Sequence, residues 1–215
     1  MLLERQRCGD PRAAAGSTLR VMKRLARVLV AALALASAPA LRAQATDAPA
    51  LLAADPSLTG PYAGTVLFVV SAEHGSHLGF VLNRPTATPV ADVLPEVADA
   101  VKVASPVYFG GPFQRATVSA LVRSPVRPTE EAVQALPDLY IVRGRDEASL
   151  VAERVPTRAR FFVGFVLWER GELQAELASR TWIVAEPDVD LVINGSADTL
   201  WQRVLERVQT MVALR

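Results

Sequence analysis

The fold is decided by two stretches of the chain: residues 64–85, GTVLFVVSAEHGSHLGFVLNRP, and residues 106–112, PVYFGGP. Their apolar, β-branched runs predict buried strands, and each run ends in residues that shape the backbone. Three strands therefore end in unusual loops, which are a His-bearing loop, Asn-Arg-Pro and Gly-Gly-Pro. Loops of this kind at the ends of strands are places where a fold builds a site.

Outward from these stretches, the apolar pattern predicts further strands and helices. The C-terminal helix has Leu200, Val204 and Val208 on one face, at the four-residue spacing of an amphipathic helix. Strands and helices are interspersed without a strict βαβ rhythm, which favours an α+β fold over a doubly wound sheet. The strands are predicted at 64–70, 78–82, 107–109, 117–123, 139–142, 160–168, 182–184 and 189–193, and the helices at 89–94, 147–154, 172–179 and 197–211.

The N-terminal residues have the layout of a secretory signal peptide. A basic stretch (22–27) precedes an uncharged apolar run (28–36), and Ala-Gln-Ala follows at 43–45. The apolar run is shorter than the roughly 20 residues that a membrane span requires. No transmembrane span is expected in the protein that remains after the signal peptide is removed. The alternative is an amphipathic N-terminal helix on a cytoplasmic protein. Residues 1–21 precede a better start at Met22, as a mis-assigned start or a leader would.

This layout predicts a leader and signal peptide over 1–45, a linker over 46–61 and a single domain over 62–215. The predicted signal peptide, 22–45, directs the protein to the periplasm or outside the cell, with a cytoplasmic location as the alternative. The only cysteine of the chain, Cys8, lies in the leader. The exported protein would therefore have neither a disulfide nor a cysteine nucleophile.

The charge balance disfavours a nucleic-acid partner. Residues 1–45 hold eight of the 23 basic residues and two of the 22 acidic ones, so residues 46–215 carry 15 basic and 20 acidic residues. Their formal net charge is −5. A net-acidic domain lacks the dense basic face that binds a phosphate backbone. A small ligand or a protein partner is expected instead.

Glu73, His74, Ser76 and His77 form the one cluster of residue types common in catalysis. His74 is the candidate catalytic residue, as a base beside Ser71 or Ser76. Neither serine lies in a Gly-x-Ser-x-Gly turn, so the pattern leaves a plain polar loop as the alternative. All metal-ligating types in the cluster share one loop around a glycine, which is unlike the rigid three-ligand frame of a zinc site. No metal site is predicted.

The two other loops suggest anion recognition. Pro85 restricts Arg84 to an extended backbone, and Asn83 tolerates a left-handed one, so Arg84 is either a fixed anion-binding group or a solvated side chain. Gly110 and Gly111 either expose backbone N–H groups to an anion or let another strand pass closely. We expect these loops to border one cleft beneath His74.

One more candidate lies near the end of the longest predicted strand. Trp168 ends this strand, and Glu172 and Glu176 follow four residues apart on one helical face. Two such carboxylates suit a cation, although pairs of this kind are commonly a solvated helix face. The predicted binding residues are therefore Glu73, His74, Asn83, Arg84, Gly110, Gly111 and Trp168.

Taken in order, these motifs resemble the YqgE/AlgH family of bacterial proteins. The resemblance covers about 51–208 and is carried by five features: the strand that leads to Glu73-His74 and its glycine turn, Gly79 to Pro85, the Gly-Gly-Pro at 110–112, the segment from Gly164 to Glu176, and Trp201. The family's Gly-Gln-Leu is Gly171-Glu172-Leu173 here, and the family is usually cytosolic. The resemblance implies an α+β fold with a bent, bifurcated, mostly antiparallel sheet that forms a pseudo-barrel flanked by helices. It implies no cofactor and no established reaction.

These observations favour a non-enzymatic binding or regulatory domain that is exported and has an unknown ligand. Two alternatives stay open: a small hydrolase-like enzyme that uses His74, and a cytoplasmic regulator linked to transcription. The latter requires a contiguous arginine face formed by Arg115, Arg123, Arg127, Arg143 and Arg145.

Overall fold

The computed structural model describes residues 48–213, and within them it has an α+β fold. The strands form a curled, mostly antiparallel half-barrel with helices packed against it, which confirms the predicted fold class. The strands are β1 (Ala50–Ala54), β2 (Val66–Ser71), β3 (His77–Val81), β4 (Pro85–Pro89), β5 (Pro106–Phe109), β6 (Phe113–Arg123), β7 (Val133–Leu136), β8 (Leu139–Arg143), β9 (Ala159–Trp168) and β10 (Trp182–Ala185). The α-helices are α1 (Val90–Val93), α2 (Arg145–Arg154), α3 (Glu172–Ala178), α4 (Val189–Asn194) and α5 (Leu200–Ala213).

Strand β9 holds the sheet together because it belongs to both of its branches. The strand order is β10-β1-β2-β3-β9-β6-β8-β7, and β5 also pairs with β9. One edge of β9 is taken by β6. The other edge is shared, since β5 pairs in parallel with 162–163 and β3 pairs antiparallel with 166–168. The sheet therefore divides between 163 and 166.

The sheet can divide here because glycine residues let the backbone at 110–111 pass directly against the backbone of β9 and bond to the end of β3. The Gly110 N–H donates to the Val163 carbonyl at 3.0 Å, and the Val81 N–H donates to the Gly110 carbonyl at 2.9 Å. A Cβ placed on Gly110 would lie 2.3 Å from the Gly164 carbonyl oxygen. Gly111 is as constrained, because its Cβ would lie 2.2 Å from the carbonyl carbon of Phe165. The close-passage alternative for Gly-Gly-Pro is the one that the structure shows.

Gly164 also changes which face of β9 points to the core. Its φ is +69°, in the left-handed region that favours glycine. Phe162 and Phe165 both lie in the core cluster that α4 and α5 cover, although they are three residues apart. In an uninterrupted strand they would face opposite sides. The opposite face, with Phe161, packs against α1 and α2.

One charged side chain is buried at this junction. Arg160, in β9, is 4% exposed and donates to the carbonyls of Leu82 at 3.0 Å and Gly195 at 2.6 Å. Its guanidinium lies 4.7 Å from the centre of the Tyr108 ring. Burial lowers the pKa of Arg160 from its ordinary value. The hydrogen bonds and the ring offset part of the desolvation cost, and they tie the residue after β3, strand β5 and the residue after α4 to β9.

Two predictions about the elements are wrong, one for the linker and one for a strand. The linker predicted over 46–61 contains β1, which lies between β10 and β2 and is buried along its whole length. A strand buried on both faces lacks the alternation that would have identified it. The strand predicted at 189–193 is helix α4, because the Asp188 side chain accepts hydrogen bonds from the N–H groups of Asp190 and Leu191 and so begins a helix.

The glycine junction gives a direct test by substitution. Gly110→Ala places a methyl group against the Gly164 carbonyl, where only backbone can give way, so we expect it to lower the free energy of unfolding by about 3 kcal/mol or more. Gly60→Ala is the control: its φ is +89°, but a Cβ there meets nothing within 4 Å, so we expect a loss of only about 1–2 kcal/mol. Urea unfolding would compare the two, and equal losses would contradict the close approach.

Candidate functional site

His74 lies on an exposed turn between β2 and β3. Glu73–Gly75 form a single 3-10 turn in which His74 has a φ of 58°, and the Glu73 and His74 side chains are 94% and 91% exposed. The two side chains lie 4.0 Å apart, from Nδ1 to Oε2. The Ser76 hydroxyl donates to the Glu73 carbonyl at 2.7 Å. The turn places His74 in solvent and directs the Ser76 hydroxyl to the backbone.

Asn83 is a structural clamp. Its Oδ1 accepts a hydrogen bond from the Val66 N–H at 2.9 Å, and its Nδ2 donates to the Gly64 carbonyl at 2.8 Å. The side chain thereby satisfies the Val66 N–H at the start of β2 and the Gly64 carbonyl just before it. Asparagine suits this position because its amide both donates and accepts.

Arg84 holds the preceding loop in place. Its Nη2 donates to the Thr65 hydroxyl at 2.9 Å and also to the Pro61 carbonyl. The Arg84 carbonyl accepts from the Phe109 N–H at 2.9 Å, so the Asn-Arg-Pro turn adjoins the Gly-Gly-Pro turn as expected. The backbone of β9 lies against Gly110 and Gly111, and the Gly110 N–H already donates to the Val163 carbonyl. Of the two alternatives for Gly110, this bonded N–H favours the close passage of a strand.

A groove of about 640 Å³ lies beside this junction, and the residues of the His74 turn are not among those that line it. One wall is the loop that Arg84 anchors, and another is the start of β6, directly after Gly-Gly-Pro. The end of β9, helix α3 and the start of β10 complete it. The lining is largely apolar and aromatic: Leu58, Thr59, Pro61, Tyr62, Pro112, Phe113, Val166, Leu167, Trp168, Glu172, Ala175, Glu176, Thr181 and Trp182.

Glu176 fixes two of the aromatic side chains in the groove. Its Oε2 accepts a hydrogen bond from the indole N–H of Trp168 at 3.0 Å and another from that of Trp182 at 2.6 Å. The Trp168 ring covers Gly79 in β3, where a Cβ would lie only 2.7 Å from it. Both tryptophans are buried over most of their surface. A carboxylate that accepts two indole N–H groups locks both rings in orientation.

Tyr62 extends the aromatic wall. Its ring meets Trp182 edge to face, with 6.0 Å between ring centres. Burial raises the pKa of the Tyr62 phenol; Arg84 opposes this effect and the Glu176 charge adds to it. Tyr62 therefore lies within the electrostatic reach of a cation on one side and of the groove carboxylate on the other.

Helix α3 brings a second carboxylate to the groove. Glu172 lies four residues before Glu176, and its Oε2 accepts a hydrogen bond from the Glu169 N–H at 2.8 Å, which closes the turn between β9 and α3. Gly171 has a φ of +90°, which permits this tight turn. In residues 48–213, no group of three His, Cys, Asp or Glu is arranged to hold a metal ion.

Of the predicted site residues, Trp168 lines the groove, whereas Glu73, His74, Asn83, Arg84, Gly110 and Gly111 do not. Sequence reasoning missed Tyr62, Phe113 and Trp182. A usable signal existed, because a buried indole N–H needs an acceptor and Glu176 is six to eight residues from both tryptophans. Tyr62 gave no signal, since it follows the segment read as a linker.

Comparison with known proteins places this fold in a family. The family model described as AlgH-like matches residues 51–213. This chain belongs to the AlgH-like family. The predicted family resemblance is thereby confirmed.

Individual relatives agree with this family membership. A UPF0301 protein from Mycobacterium leprae is 32% identical over 177 residues, covering 80% of this chain and 87% of the relative. A UPF0301 protein from Chlorobium luteolum is 31% identical, covering 72% of this chain and 82% of the relative. The solution structure of the AlgH protein from Pseudomonas aeruginosa is similar with a TM-score of 0.63, at 23% identity, over 78% of this chain and 93% of the other. That similarity establishes the fold alone.

In this AlgH-like protein, substitution of Glu176 tests whether its carboxylate stabilises the two tryptophans. Glu176→Ala leaves two largely buried indole N–H groups without their partner, and we expect a loss of about 2–3 kcal/mol in the free energy of unfolding. Glu176→Gln keeps an oxygen acceptor and should lose less. Glu153→Ala, on the exposed face of α2, is the control and should change stability by less than about 0.5 kcal/mol. Urea unfolding followed by circular dichroism measures all three, and equal values for the two alanine variants would contradict the clamp.

Proposed function

We propose that this AlgH-like protein is a non-enzymatic binding or regulatory domain that acts after export and holds its ligand in the aromatic groove. The observation that carries the proposal is the groove itself, about 640 Å³ with aromatic walls. Ligand pockets are typically about 300–1,000 Å³, mostly apolar, with a few fixed polar groups. Glu176 holds Trp168 and Trp182 in place before any ligand arrives, which reduces the entropy lost on binding.

The hydrolase alternative has less support from the geometry. A general base must lie within hydrogen-bond reach of the proton that it removes, in a place where a substrate can be held. His74 is 91% exposed on a projecting turn, and the Ser76 hydroxyl donates to the Glu73 carbonyl. No observation at this turn favours a reaction over a polar connection between β2 and β3.

The transcription-linked alternative also has less support. Two of its arginines are held in ion pairs, Arg123 with Asp190 and Arg145 with Glu96. Two more lie over phenylalanine rings. Side chains committed to separate partners make a poor continuous surface for a phosphate backbone. The arginines in question are Arg115, Arg123, Arg127, Arg143 and Arg145.

The export part of the proposal rests on the sequence of residues 22–45, which lie outside the described residues. Over residues 48–213, no helix combines the length and the hydropathy that crossing a membrane requires. We expect the native protein, purified from the bacterium that produces it, to begin near Thr46. N-terminal sequencing and cell fractionation check this. An intact 22–45 segment on protein from the cytoplasm would contradict export and leave the groove proposal standing.

Groove binding can be tested by filling the groove. Ala175 is an exposed residue of α3 in the groove lining, so Ala175→Trp fills the space without removing a contact. Ala178→Trp is the matched control, because Ala178 is exposed on the same helix and outside the lining. With the neutral apolar dye Nile red, we expect emission to rise with wild type and with Ala178→Trp, and to fall by at least half with Ala175→Trp. Equal emission from all three proteins would contradict binding in the groove.

A further inference from the structure

The charges around the groove narrow the chemistry of what it binds. Resting on the groove-binding function above, we propose that the ligand is an organic cation, with an ammonium or guanidinium group on an apolar body.

The lining has a single sign of charge. Among the described residues that line the groove, the only Asp, Glu, Lys, Arg or His side chains are those of Glu172 and Glu176. They lie four residues apart on α3, on the same face of the helix. Arg84 is close enough to affect the pKa of Tyr62, but it lies outside the lining and donates to Pro61 and Thr65. An anionic ligand would meet two carboxylates with no lining cation to offset them.

Glu176 is prepared to accept a donor from the ligand. A carboxylate offers about four lone-pair sites on its two oxygens, and the two indole N–H groups both use Oε2. These bonds fix the orientation of the carboxylate and leave acceptor capacity for a charged N–H donor. A hydrogen bond between a cation and a carboxylate is roughly twice as strong as a neutral one.

The aromatic surface suits the rest of such a ligand. Tyr62, which is half-buried, packs edge to face on Trp182 within reach of the Glu176 charge, and a cation over a tyrosine face gains further attraction. Phe113, 44% exposed at the start of β6, offers apolar surface at the rim of the same groove. A compound with a charged end and an apolar stem would satisfy both parts of the lining.

Three matched probes test the charge preference: 4-phenylbutylamine, 4-phenylbutanol and 4-phenylbutyrate. They share a body and differ in charge, and binding can be followed by tryptophan fluorescence at neutral pH. We expect the amine to bind at least about 5-fold more tightly than the alcohol, with the carboxylate the weakest. Equal or tighter binding of the alcohol or the carboxylate would overturn the cation inference while the groove function survives. If none of the three probes binds and Nile red does not bind either, both the cation inference and the groove function would be overturned.

Charge-removing variants locate the preference. Glu172→Gln leaves the Glu176 clamp intact. We expect it to weaken the affinity for the amine by about 3- to 10-fold and to leave the affinity for the alcohol unchanged. Glu176→Gln should do the same if circular dichroism shows it folded. Glu186→Gln is the control, since Glu186 lies in a different groove, between β10 and α5, and should leave amine binding unchanged. Amine affinity insensitive to Glu172→Gln and Glu176→Gln would overturn the proposal.

Discussion

The structure depends on one contact, the passage of the Gly110–Gly111 backbone against β9 at Gly164 and Phe165. Any side chain on Gly110 or Gly164 would meet a carbonyl oxygen at 2.3 Å. Because the backbones touch, β9 can pair with β5 along its first half and with β3 along its second, and the sheet divides there. The same passage delivers Pro112 and Phe113 to the wall of the groove.

The polar groups around this junction serve the framework. Asn83 and Arg84 fasten the chain between 61 and 66, and Arg160 ties three segments through carbonyl groups and the Tyr108 ring. A buried charge of this kind is costly to break, because removing it leaves carbonyl oxygens without donors. The loops that look most like a site in the sequence therefore position the groove wall, and the groove itself forms next to them.

The elements that the sequence predicts correctly are those whose own apolar pattern is clear. Strands β2, β3 and β9 and helix α5 were expected because each carries a long apolar pattern of its own. The errors come where a local or tertiary effect outweighs that pattern. Residues 189–193 are rich in strand formers, but the Asp188 cap makes them helical, and 50–54 look featureless because they are buried on both faces.

The sequence by itself determined the family and the α+β class, since these follow from motifs and from the apolar pattern along the chain. Only the tertiary structure decided where a ligand would fit. Tyr62, Phe113, Trp168 and Trp182 come from four separate segments, and Glu176 joins two of them by hydrogen bonds. No local pattern encodes such a meeting, because it depends on where the sheet divides and which strands then lie side by side.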